Sequence, residues 1–284
     1  MSKQLDKEQV IQHKKASIKK INNLMEYYIN STNKKHLKKV ELLSYWFENF
    51  CDYIKDEETY NPKKQIRYNR GDIIKVNFGF NVGKEYGGLH YAIVIDKNNN
   101  HSSHTLTVVP LTSGTQQDTY PTDVYLGTEL YNRLYARNNS MLATAENEFL
   151  EYNNLINERE ACIDIITNII AKDVAIAMTK EDNDTTDNEL SNILIQQSEK
   201  YRNYCKMLDE KFEQIKKDVA LLQKNQNEIA KLKTGSIALI SQITSIDKAR
   251  IYTPRKSTDV LYGIQFSEEK MKLINDALKN KFIF

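Results

Sequence analysis

Among the five histidines of this 284-residue chain, His90 is the best placed for chemistry. It follows a loop that carries Gly83, Gly87 and Gly88, and it opens an apolar run through Tyr91 to Ile95. An imidazole titrates near neutrality and can take or give a proton, which suits it to general acid–base work. The loop before it holds Glu85, a carboxylate able to act as its base partner, and Lys84, a nearby positive charge. Thr112 and Ser113 end a second β-rich run with two adjacent hydroxyls. Each of these residues also has a structural role open to it. A lone His at a strand start is often a satisfied core group, and a hydroxyl beside Gly114 is often a turn anchor. Asp247, Lys248 and Arg250 read as a fold-stabilising turn and ion pair, and His101 and His104 flank a polar loop at the surface.

Several chemistries are set aside by composition. The three cysteines, Cys51, Cys162 and Cys205, form no C-x-x-C pair, and no compact Asp/Glu/His cluster has ligand spacing, so neither a zinc site nor any other metal or cofactor is expected. Mean hydropathy is −0.61, and no apolar run approaches the ~20 residues that cross a bilayer. The opening MSKQLDKEQV has no apolar signal core, and a cytoplasmic protein is expected. With 40 Lys+Arg against 38 Asp+Glu the net charge is only +2, too little to coat a nucleic acid by bulk charge. That total hides a gradient: residues 1–70 are +6, 71–127 are −2, 128–210 are −8 and 211–284 are +6.

The elements that must position the candidate residues follow from periodicity. Ile11, Ile18, Ile21, Met25 and Tyr28, then Val40, Leu43, Phe47, Phe50 and Ile54, form two helical stripes separated by Asn30 to Asn33, which predicts an antiparallel helical pair. From about residue 70 the period changes. Ile74, Val76 and Phe78 alternate with polar residues, and 91–95, 105–111 and 123–126 supply further β runs with glycine and asparagine turns between them. Residues 128–232 return to helix with an acidic break at 181–187. A stripe from Leu190 and Leu194 through Tyr201, Leu208, Ile215 and Leu222 to Ile229 then predicts a long helix or coiled-coil arm. β texture resumes at 236–243, and 267–284 reads as a last amphipathic helix.

The β segments carry a resemblance. RGDIIKVNFG (70–79), GKEYGGLHYAIVI (83–95), TVVPLTS (107–113) and GSIALISQITSIDKARI (235–251) occur in an order similar to that of the MazF/PemK (Kid) family of toxin ribonucleases. The resemblance implies an SH3-like β barrel that dimerises, binds single-stranded RNA, and cleaves it without metal by attack of a ribose 2′-hydroxyl, leaving a 2′,3′-cyclic phosphate and a 5′-hydroxyl. An antitoxin that blocks the groove is the implied partner. On this resemblance His90, Thr112 and Glu85 are the candidate catalytic residues. Lys84, Ser113, Asn77, Tyr86, Tyr91 and Gln242 are the candidate RNA contacts, since unpaired bases are held by aromatic faces and amide hydrogen bonds. Core packing is the alternative for both tyrosines. Position 90 departs from the family, which usually has the Arg of a G-x-R-P motif there. Imidazole lacks the permanent bidentate charge of guanidinium, so two readings stay open: cleavage with His90 as acid or base, or a protein that only binds RNA or, like the CcdB relatives, gyrase. A mainly structural protein whose arms assemble partners is a third.

The expected architecture is therefore α+β: an N-terminal helical pair (1–65), a MazF-like barrel in two parts (66–127 and 234–284), and between them a helical insertion (128–233). The −8 block of that insertion leaves the barrel beside the expected groove, so an acidic helix lying across the RNA site, in place of an antitoxin, is one expectation; packing or dimer extension is the other.

Overall fold

A computed structural model describes residues 6–179 and 184–283. Two helices open the chain, α1 (Lys7–Ile29) and α2 (Lys34–Asp56). The turn between them is set by side-chain caps, with Asn33 Oδ1 accepting from the Lys35 amide at 3.0 Å. The pair does not close over its stripes as expected. No residue of α1 is buried, and Ile18 stays 58 % exposed. On α2 only Val40 and Leu43 are buried, while Phe50 and Ile54 face outward. The reason is visible one step round the helix, where Trp46 and Tyr53 turn toward the sheet.

The sheet strands are β1 (Ile73–Asn77), β2 (Leu89–Val94), β3 (Thr105–Ser113), β4 (Val124–Gly127), β5 (Ser236–Ala238), β6 (Thr244–Asp247) and β7 (Ile251–Thr253). All pairings are antiparallel, in the order β4-β5-β3-β2-β1-β7, with β6 also on β3. Barrel curvature follows from connectivity. β6 pairs with β3 and β7 with β1, yet only the short 3-10 turn Lys248–Arg250 joins β6 to β7. The two ends of the β6-β3-β2-β1-β7 path must therefore meet, and the sheet rolls.

Strand alternation then divides the core into two. Ile74, Val76, Phe78, Ala92, Val94, Leu106, Val108, Ile246 and Ile251 fill the concave side. Ile73, Ile93, Val109 and Leu111 face the other way, against Leu130 and Leu134 of α3 (Glu129–Thr179) and Met271 and Ile274 of α5 (Glu268–Phe282). Glu129 at the head of α3 fastens α5 by accepting from the Ser267 amide (2.7 Å) and hydroxyl (2.9 Å).

The turn at 247–250 holds by different bonds than expected. Asp247 Oδ1 accepts from the Ala249 amide at 2.8 Å, but Lys248 makes no ion pair. It is buried, and its ammonium donates to Asn99 Oδ1 (3.0 Å) and the Asn100 carbonyl (3.1 Å). Neutral oxygens satisfy the ammonium there without a buried carboxylate. His101 is likewise not a free surface group, since its Nε2 lies 2.8 Å from the Gln65 carbonyl. His104 is exposed, edge-on to Tyr60.

α3 and α4 (Asp184–Lys231) form the long arm; at 1.5 Å per residue α3 alone spans ~75 Å. Of the acidic break expected at 181–187, residues 181–183 lie outside the described residues, as does the side chain of Leu190, and Asp184 already belongs to α4. The contacts Asn225 with Asn138, Phe212 with Tyr152 and Lys211 with Glu151 run in opposite senses along the two helices, so the arm is an antiparallel hairpin. Its seam buries Cys162, Ile169, Leu208 and Leu222. No helix among the described residues is long and apolar enough to cross a membrane.

Candidate active site at the barrel mouth

The site is built by register. β2 and β3 pair as Ala92 with Pro110 and Ile93 with Val109. Beyond that ladder β3 turns to pair with β5, and the next positions on the same face are His90 on β2 and Thr112 on β3. His90 pairs with Val76 on β1, so it lies on the concave side, at the mouth of the barrel. Tyr86 fills the space between. Its ring lies 4.5 Å from the imidazole and meets Phe78 edge-on at 5.7 Å. Its hydroxyl donates to the Leu111 carbonyl at 2.6 Å, one residue before Thr112. Burial pushes the Tyr86 phenol up to about 12, so it stays protonated at neutral pH.

His90 moves the other way. Burial lowers its pKa below the ordinary imidazole value of 6.5; the Gly87 carbonyl opposes this, and the positive charge of Lys75 adds to the lowering. The ring is thus neutral at pH 7. The loop that carries it is closed by Gly88, whose amide donates to the Gly79 carbonyl at 2.7 Å while its carbonyl accepts from Phe78 at 2.8 Å. Glycine is required at two points. A Cβ on Gly87 would stand 2.7 Å from the Gly79 carbonyl oxygen, and one on Gly79, whose φ is +85°, would stand 2.8 Å from the Trp46 ring. Gly79→Ala is accordingly expected to cost about 2 kcal/mol. A lowered denaturation midpoint, followed by the fluorescence of the single tryptophan, would record it; an unchanged midpoint would mean that α2 is not seated there.

The structure gathers some of the expected site residues and separates others. Glu85 is exposed at the rim, its Oε2 accepting from the Val82 amide at 3.3 Å, and Lys84 is exposed beside it. Gln242 reaches this loop, but as a clip: its Oε1 accepts from the Tyr86 amide (3.3 Å) and its Nε2 donates to the Lys84 carbonyl (3.4 Å). Asn77 is similarly engaged, accepting from the Gly79 amide (3.0 Å) and donating to Tyr53 Oη (3.4 Å). Tyr91 and Ser113 leave the site altogether, because each follows a site residue by one position and successive strand residues face opposite sides. The Tyr91 hydroxyl donates to Glu228 of α4 at 2.6 Å, and Ser113 pairs with Ser236.

The same parity places the arm. Glu228 meets Lys75 and Tyr91 on the convex side, so the insertion does not lie across His90. The element facing His90 is α2. A cleft of about 810 Å³ runs between them, lined on the barrel side by Asn77, Glu85 and His90 and on the helix side by Lys38, Tyr45, Trp46, Asn49 and Tyr53. Trp46 is held by Gly79 below it and by Arg250, whose guanidinium sits 5.4 Å from the ring and whose Nε donates to the Asn77 carbonyl at 2.9 Å. Tyr45, Trp46, Asn49 and Tyr53 escaped the sequence reading. The only signal for them was the spacing of Trp46, Asn49 and Tyr53, which shares the helical period of the apolar stripe beside it. Among the described residues, no group of three or more His, Cys, Asp and Glu could hold a metal ion.

A rolled antiparallel sheet with long helices inserted between its strands is an α+β fold of the MazF-like kind. Residues 69–146, about a quarter of the chain, match the family model for the PemK-like, MazF-like toxin of type II toxin–antitoxin systems. Over those residues the chain is similar to the toxins of such systems. No curated protein matches the chain.

Proposed function

We propose that this protein is a metal-independent endoribonuclease toxin that cleaves single-stranded RNA through its own 2′-hydroxyl. The observation that carries this reading is the convergence of a neutral, half-buried His90 with Thr112 and Tyr86 at one end of the barrel. A neutral imidazole is the form that accepts a proton, so His90 takes the proton of the 2′-hydroxyl as that oxygen attacks the adjacent phosphorus. The Gly87 carbonyl favours a proton on the ring nitrogen facing it and leaves the other nitrogen as acceptor. The Thr112 hydroxyl donates to a phosphoryl oxygen as charge develops there. Lys84 at the exposed rim adds positive charge, and the imidazolium formed in the first step returns its proton to the departing 5′-oxygen. Glu85 beside it steadies that imidazolium.

The products are a 2′,3′-cyclic phosphate and a 5′-hydroxyl. Incubation of the purified full chain with single-stranded RNA and a chelator, followed by chemical identification of both ends, tests the reading; intact RNA, or 3′-hydroxyl and 5′-phosphate ends, would refute it. The pH profile is a separate check. A base must be deprotonated, so the cleavage rate should rise with pH through a midpoint below 6.5 and then level off; a rate that falls over that interval would instead make His90 the initial acid. The functional unit is a homodimer controlled by an antitoxin, as the toxin family implies.

A further inference from the structure

The cleft facing His90 has a second wall that belongs to none of the residues in the proposed chemistry. We propose that α2 is a nucleobase-binding wall, on which a base of single-stranded RNA next to the scissile phosphate stacks against Tyr45 while Asn49 hydrogen-bonds its edge and Lys38 meets its phosphate. This rests on the RNA-cleaving reading of His90 and extends it to substrate selection.

Four observations support it. The cleft, at about 810 Å³, falls within the ~300–1,000 Å³ of ordinary ligand sites. α2 therefore stands back from His90 as a wall and leaves the space open, where a plug would fill it. The helix is fixed in place, because Trp46 closes on a glycine that has no room for a Cβ and is backed by Arg250, while the Tyr53 hydroxyl accepts from Asn77. A rigid element can select a substrate where a mobile one cannot. Tyr45 is 58 % exposed and Asn49 is exposed, and both line the cleft; the Asn49 Nδ2 donates to the Tyr45 carbonyl at 2.6 Å, which leaves its Oδ1 and second N–H for a base edge. An ammonium two turns before an aromatic face, and an amide one turn after it, match the parts of a nucleotide: phosphate, base plane and base edge.

The test uses the full chain carrying His90→Ala, which prevents turnover, and a fluorescein-labelled mixed-sequence single-stranded RNA followed by anisotropy. Adding Tyr45→Ala should weaken binding about tenfold, Asn49→Ala and Lys38→Ala less, and Tyr45→Phe should restore it. Tyr27→Ala on exposed α1 should leave affinity unchanged. Unchanged affinity in Tyr45→Ala would overturn the wall alone, while RNA cleavage by the native chain would keep the catalytic reading. Tighter binding in Tyr45→Ala would also overturn it, by making α2 a cover. Tyr45-dependent binding without cleavage by the native chain would uphold the wall and remove the nuclease. A parent that binds no RNA would remove both.

Discussion

Replacing His90 by alanine is expected to lower the RNA cleavage rate about a thousandfold, within the 10²–10⁴ that a positioned general base contributes. The substitution should leave the fold intact. His90 is half-buried at a strand end, and its removal exposes the Tyr86 ring without opening the core formed by Val76, Ala92 and Val94. Single-turnover rates on saturating RNA, with the denaturation midpoint measured alongside, separate catalysis from stability. A loss below tenfold with the same midpoint would take the proton transfer away from His90. Thr112→Val should cost less, because it removes one donor to the phosphate and keeps the base.

Glu228→Ala should be among the most destabilising single substitutions outside the apolar core, at about 3 kcal/mol. Glu228 Oε2 lies 2.7 Å from the Lys75 ammonium and 2.6 Å from the Tyr91 hydroxyl, and the Lys75 and Glu228 side chains are only 12 % and 16 % exposed. Truncation strands a poorly solvated ammonium and a partly buried phenol together. Domains of this kind hold ~5–15 kcal/mol in all, so the loss is a large fraction. Urea denaturation of the single variant and of the Lys75→Met/Glu228→Leu pair checks the cause. The pair should recover most of the loss, since it removes both charges; a single-variant loss below 1 kcal/mol would mean that the arm is held elsewhere. The acid dependence follows from the same contact. Burial raises the Glu228 pKa, but the hydrogen bonds from Lys75 and Tyr91 and the charge of Lys75 outweigh it, and the net value lies below the ordinary 4.5. A depressed carboxylate stabilises the fold above 4.5, and that contribution is lost as pH falls through the depressed value. Lys75 also lowers the His90 pKa. Glu228→Gln, which uncovers the Lys75 charge, should therefore move the acid limb of the cleavage profile to lower pH.

Much of the scaffold was legible in residue order. The alternation of Ile74, Val76 and Phe78 marks β1, and these three side chains do fill the concave core. The caps at Asn33 and Ser267 stand where the helical stripes begin. The site was legible only in part. His90, Tyr86 and Thr112 come together, whereas Tyr91 and Ser113, each one residue further on, face away. Gln242 and Asn77, read as base contacts, spend their amides holding the loop and α2. A residue type states what a side chain can bond to, and only its neighbours state what it does bond to.

The acidic insertion shows the same division. Its length and its net charge of −8 over 128–210 are plain in the sequence, and they invite a helix across the RNA site. The fold instead sets Glu228 against Lys75 and Tyr91 on the convex side and leaves the cleft to α2, whose residues bear no resemblance to the toxin ribonucleases. By itself, then, the sequence determined the elements, their order and the imidazole at position 90, because helical and strand periods are properties of neighbouring residues. Tertiary structure alone decided which side of the sheet each residue serves and which helix faces the site. Those depend on the pairing parity of strands and on a contact between Trp46 and Gly79, which no local pattern encodes.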